Sequence, residues 1–177
     1  MLTKLKLIGI FLLVSFTLLS CTTVNYTQPR HLSGHATWAI FPFTNYTETP
    51  LAGERASSIT AAILRGKGVR RLRVYESPYQ AKNFLPGAQK PITRAQMLSW
   101  ARRRGAMYAV VGTVTEWRYK VGIDGEPAAG VTLNIIYVPT GKVVYAASGG
   151  RSNDSHKALS YTGQILIYRL LMPVTIG

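Results

Sequence analysis

Apolar and polar positions alternate along this chain in several distinct ways. Residues 7–19 are an almost unbroken apolar run behind Lys4 and Lys6. A polar, turn-rich stretch follows over 22–36, and the residues from Thr37 to Phe43 then form a short apolar run with β-branched and aromatic content. That run predicts a buried strand. Thr49 suits a helix N-cap with Pro50 at the first helical position, so a helix is expected over 51–67. Ala56, Ile59, Ala62 and Ile63 share one face of it, and Gly68 is a suitable stop. Residues 71–76 predict a second strand. Thr93 and Gln96 make a capping box for another helix that ends at Gly105.

Residues 107–121 predict a long strand. In its second half Trp117, Tyr119 and Val121 alternate with Glu116, Arg118 and Lys120, the period of a half-exposed sheet. Asp124-Gly125 supplies a turn, and residues 131–138 return as the next strand. Thr140-Gly141-Lys142 makes a second tight turn before a last strand over 143–148, and Asp154 or Ser155 is expected to cap a final helix over 156–172. The order is βαβαβββα. It predicts one α/β domain over 37–177, a sandwich with a mixed sheet of about five strands and packed helices.

The single cysteine changes the picture. Lys4 and Lys6, the apolar run and Leu18-Leu19-Ser20-Cys21 together read as a secretory signal peptide too short to span a bilayer. The ending resembles the lipobox of bacterial lipoproteins. That resemblance implies cleavage after residue 20, acylation of Cys21, and a lipidated tether over 21–36. Thr22 is similar to the outer-membrane sorting pattern, which implies a periplasmic protein held on the outer membrane. Cleavage leaves 157 of the 177 residues, enough for one core, and no second thiol for a disulfide. The formal charge of +14 falls to near +12 without the two leader lysines. Such a balance implies an anionic surface or polymer. Behind a secretion signal, lipid head groups fit better than nucleic acid.

Candidate chemistry is sparse. The acids are Glu48, Glu54, Glu76, Glu116, Asp124, Glu126 and Asp154. Glu48, Glu54 and Asp154 suit helix N-termini. Asp154-Ser155-His156 has the residue types of a triad, but triads assemble in space and helix capping explains it better. His31 and His35 stand four apart, yet Pro29 and Gly34 argue against a helix that would join them on a metal. No catalytic residue, metal ligand or cofactor is assigned. Arg102, Arg103 and Arg104, with Arg70, Arg71 and Arg73, form the main basic concentration. Such a run is a solvated helix end or a basic face beside an anionic leaflet. Residues 164–174 are apolar nearly all round, with Arg169 the only charge. Full burial in the monomer, burial in an assembly and contact with lipid are all open for this helix. Tyr161, Leu166, Tyr168 and Leu170 are the candidate membrane or interface contacts.

Two stretches carry a resemblance. Trp38-Ala39-Ile40-Phe41-Pro42-Phe43 with Asn45-Tyr46-Thr47-Glu48-Thr49-Pro50 is the first. The second is the stretch from Thr113 to Gly122 with Asp124-Gly125-Glu126-Pro127 behind it. Both are similar to the PelC family of lipoproteins in the Pel exopolysaccharide secretion system. The strand–helix order also resembles the wider TolB-N-terminal-like and CsgG-like lipoproteins. The resemblance implies a homo-oligomeric ring on the inner leaflet of the outer membrane, beneath the β-barrel exporter PelB. It would guide a cationic exopolysaccharide through an acidic funnel, with an aromatic belt facing lipid. Asp124 and Glu126 are the candidates for the acidic lining. No tryptophan stands near 151–156, so Tyr161 and Tyr168 are the substitutes for the belt. A different class stays open: a monomeric outer-membrane lipoprotein that activates a periplasmic cell-wall synthase.

Overall fold

The fold is organised by β3, the short strand Thr37–Ile40, which is covered on both faces. Trp38 and Ile40 enter one core and Ala39 enters the other, followed by Phe41 just past the strand. A strand buried on both faces needs a continuous apolar run instead of alternation, and this run supplies it. The computed structural model describes residues 22–28, 30–76, 92–122 and 125–177. The main sheet contains β1 (Thr22–Tyr26), β3, β4 (Thr44–Asn45), β5 (Arg71–Val74), β6 (Tyr108–Tyr119), β7 (Pro127–Tyr137) and β8 (Lys142–Ser152). Its order is β1-β8-β7-β6-β3-β5, with β4 beside β6. β3 is parallel to β5 and β6, whereas β6, β7, β8 and β1 are antiparallel in succession. β2 (Arg30–Leu32) and β9 (Val174–Ile176) form a separate parallel pair.

The architecture is the expected single-domain mixed α/β sandwich. All five anticipated strands are present, as β3, β5, β6, β7 and β8. The additions come largely from residues 22–36, expected as a tether. They hold β1 and β2, because their backbone groups find partners on β8 and β9. Thr22 already lies in the sheet.

Helices α1 (Ala52–Gly66) and α3 (Leu159–Leu171) cover one face, packed on Trp38, Val110, Val114, Trp117, Leu133 and Ile135. Helix α2 (Arg94–Arg103) covers part of the other face over Phe41, Ala109 and Ile136. Its capping box forms as expected: Thr93 Oγ1 accepts from the Gln96 N–H and Gln96 Oε1 accepts from the Thr93 N–H. The other two expected caps do not form. Thr49 instead donates its hydroxyl to the Trp117 carbonyl, and α1 starts after Leu51, held at φ 59°. Asp154 accepts from the His156 N–H at 3.1 Å within a turn, which delays α3 to Leu159.

Leu166 and Leu170 are fully buried within the single chain. This corrects their assignment as membrane or interface contacts: the apolar face that carries them is consumed by the chain's own sheet. Gly163 on the same face lets α3 approach β6 closely, since a Cβ there would lie 2.1 Å from the Trp117 ring. Tyr145 is buried beneath the helix and donates its hydroxyl to the Leu170 carbonyl.

Two stability outcomes follow from this packing. Gly163→Ala drives a methyl into the Trp117 ring, and should cost about 1–3 kcal/mol through overpacking. The control Gly66→Ala, where a Cβ meets nothing within 4 Å, should be neutral or gain up to about 1 kcal/mol of helix propensity. Urea unfolding of both variants measures the difference. Burial, aided by Tyr26, pushes the Tyr145 phenol up to about 12, above its usual 10.0. Between those values the unfolded chain gives up a proton that the folded chain keeps. Stability therefore falls as pH rises from about 10 to 12, with no contribution below that window. Tyr145→Phe should flatten this part of the pH–stability curve relative to the parent.

Candidate functional site

The sheet register gives the molecule two distinct ends. Tyr119 pairs with Pro127, Ala128 with Ser152, and Thr22 with Arg151. The β6–β7 hairpin, the end of β8 and the start of β1 therefore share one end, here called proximal because residue 21 precedes it. Thr37 and Met107 mark the opposite, distal end, where the Met107 N–H donates to the Thr37 carbonyl at 2.7 Å.

Residue 22 is fixed at the proximal end by a buried cation. Arg151 is 9% exposed and donates through Nη1 to the Thr22 hydroxyl and through Nη2 to Asn153 Oδ1 at 2.8 Å. Asn153 Nδ2 donates to Thr162 Oγ1 at 2.8 Å, which ties the cluster to α3. Burial, and then the nearby Arg169, hold the guanidinium below its usual pKa range. Among the described residues no carboxylate pairs with it, and its Nε is buried without a partner. A buried cation of this kind is costly, so it persists only where its hydrogen bonds are well fixed. Sequence reasoning missed this cluster. The signal was alternation: Tyr145, Ala147, Gly149 and Arg151 step along one face of β8, which puts the arginine in a core-facing register.

The candidate residues divide unevenly. Cys21 and Asp124 lie outside the described residues. Glu126 is exposed on the hairpin, with its Oε2 3.8 Å from Lys120 Nζ, and Glu116 pairs with Arg118 at 3.1 Å. Exposed pairs of this kind contribute little to stability. Tyr161 and Tyr168 are exposed on the outer face of α3, and Lys157 Nζ stands 6.0 Å from the Tyr161 ring. Val121 in the hairpin is fully exposed, and Tyr119 is half exposed while its hydroxyl accepts from the Leu159 N–H. His31 Nδ1 is 3.0 Å from the Thr175 hydroxyl. Among the described residues no three His, Cys, Asp or Glu side chains gather as metal ligands, and no helix is long and apolar enough to cross a membrane. A groove of about 440 Å³ opens between α1 and α3 over Trp117, lined mainly by Leu51, Ile59 and Leu159.

Charge follows the two ends. Most described acids are proximal: Glu116 and Glu126 flank the hairpin and Asp154 follows β8, whereas Glu76, two residues past Val74 at the level of Val110, stands near the middle of the sheet. Glu48 sits in the loop that Thr49 ties to Trp117, and Glu54 lines the groove. The basic concentration is distal. Arg70 and Arg71 open β5, and α2 delivers Arg102, Arg103 and Arg104 to the same end. Arg102 donates to the Val138 carbonyl at 3.3 Å, and Arg94 donates to the Gly141 carbonyl at 2.6 Å in the β7–β8 turn. The run therefore stands at the opposite end of the sheet from residue 22.

Comparison with known proteins gives a consistent picture. No protein-family model and no curated protein matches the chain. Among solved structures it is similar to a PelC dodecamer from Paraburkholderia phytofirmans at 38% identity and TM-score 0.73, covering 86% of this chain and 96% of that one. A second PelC dodecamer from the same organism, a leucine-to-methionine variant, matches at 36% identity and TM-score 0.74, covering 89% of this chain and 100% of that one. Lipoprotein GNA1162 from Neisseria meningitidis shares the fold at 17% identity and TM-score 0.52, covering 77% of this chain and 96% of that one. With more than a third of positions identical across nearly the whole of both PelC structures, the chain belongs to the PelC family.

Proposed function

We propose that this chain is a lipid-anchored subunit of a homo-oligomeric ring on the periplasmic face of the outer membrane. The ring guides a cationic exopolysaccharide of the Pel type to its β-barrel exporter, PelB. The observation that carries the reading is the 36–38% identity to PelC dodecamers over nearly their whole length. The lipobox-like Leu18-Leu19-Ser20-Cys21 supplies the anchor. Several acyl chains on one cysteine hold a protein stably on a bilayer where one chain does not.

The fold supports a division of labour along its length. With Cys21 acylated, the proximal end lies against the leaflet, and the hairpin with Glu126 stands beside it. The acids are then nearest the exporter, where attraction for a cationic polymer is useful. One or two carboxylates per subunit are weak alone, but a ring repeats them around its axis and sums their field. Tyr161, Tyr168 and the hairpin's Tyr119 and Val121 are among the exposed apolar groups available to lipid or to a neighbouring subunit.

Mature protein purified in detergent should show a native mass of many subunits, and a single-subunit mass would overturn the ring. Cys21→Ser should abolish recovery in the outer-membrane fraction, whereas undiminished attachment would remove the lipid anchor from the reading.

The hairpin acids have their own test. Asp124→Asn combined with Glu126→Gln should leave native mass and thermal stability unchanged but lower polymer secretion by about ten-fold, with each single change doing less. Amides preserve size and most hydrogen bonding, so the alteration is one of charge. Normal secretion at normal protein level would take these residues out of the polymer's path.

A further inference from the structure

We propose that the distal end is a docking surface for an acidic protein. The inference rests on the anchored orientation proposed above and concerns the opposite end of the molecule. Arg70, Arg71, Arg102, Arg103, Arg104 and Lys142 are all exposed there, and among the described residues no acidic side chain shares that end. The helix dipole accounts for Arg102 and Arg103 in the last turn of α2. It does not account for Arg70 and Arg71 at the start of a strand, or for Lys142 after a turn. Three separate elements converge on one sign of charge.

A cation cluster without acids among the described residues at its end defines the partner by exclusion and by complementarity. A cationic polymer is repelled from the distal end. Lipid lies at the other end if Cys21 is acylated. What remains is an anionic partner on the side facing away from the membrane. Five of the six cations are arginines, whose planar fork suits carboxylates. The surface is not purely polar, since Met107 and Val143 are 40% and 45% exposed among these cations. Apolar side chains set between arginines match a protein interface better than a hydrophilic polyanion. In a ring the patch repeats with each subunit, so an acidic partner with several contact points binds by multivalency.

The test uses mature protein in detergent, titrated with a random glutamate–tyrosine copolymer and with polygalacturonate of matched charge. The copolymer should bind about ten-fold more tightly, a difference of about 1.4 kcal/mol. Raising salt from low to physiological strength should weaken it. Arg70→Gln with Arg103→Gln and Arg104→Gln should reduce copolymer affinity by about ten-fold, and Met107→Ser should reduce it further. The charge-matched proximal control, Arg118→Gln with Lys120→Gln and Lys157→Gln, should stay within about two-fold of the parent. Thermal unfolding and native mass are read on every variant, so that lost binding is not lost folding. Equal weakening by the proximal control would reduce the effect to net charge and overturn the site. Tighter binding of polygalacturonate would assign the end to a polysaccharide and overturn the protein partner. Unacylated Cys21→Ser protein is also mixed with vesicles containing phosphatidylglycerol. Capture through the distal arginines would mean that this end faces lipid, and the anchored orientation itself would fail.

Discussion

The double burial of β3 is the constraint from which the rest of the molecule follows. Trp38 and Ile40 on one side, with Ala39 and then Phe41 on the other, require cover on both faces of the sheet. One face receives α1 and α3 and the other receives α2. β3 is parallel to both β5 and β6, so all three strands begin at the same end. This common polarity sends the starts of β5 and β6 and the end of α2 to the distal end. The β6–β7 hairpin and the end of β8 are left at the other. The charge layout is thus a consequence of strand direction acting on where the sequence puts its acids and bases.

Membership in the PelC family and this layout belong together. In a ring of such copies the distal rim would repeat a cluster of cations, while the proximal rim would mix its acids with Arg118, Lys120 and Lys157. Repetition would sum both patterns. Summed charge alone, read from a composition of 21 basic and 7 acidic residues, suggests a uniformly basic protein. The folded chain instead gathers most of its described carboxylates toward the end of the sheet that holds Thr22.

Much of the fold was legible in the sequence because its strongest signals are local. The apolar run at β3, the Thr93–Gln96 capping box and the tight turn at Thr140-Gly141 each contain the physics that forms them. What stayed hidden was non-local. Thr22–Tyr26 has no strand pattern of its own and becomes β1 because β8 offers it an open edge. Thr49 has the residue type of an N-cap but is taken by the Trp117 carbonyl, 68 positions away in sequence. The apolar circumference of the last helix gave no way to separate core from surface. The sheet decides it, burying Leu166 and Leu170 and leaving Tyr161 and Tyr168 outside. For the candidate site, residue types could be named from sequence, but which end each occupied depended on register.

The grip of Arg151 on Thr22 has a consequence for assembly. A flexible linker of about a dozen residues lets a tethered domain tumble and sample a volume tens of ångströms across. Here the first residue after Cys21 is already locked in the sheet, so an acyl anchor on that cysteine would leave almost no slack. Each subunit would then meet its neighbours at one height and in nearly one orientation. Much of the translational and rotational entropy that association ordinarily costs would be surrendered on anchoring, before any subunit contact forms. Modest contacts between copies would then suffice on the membrane.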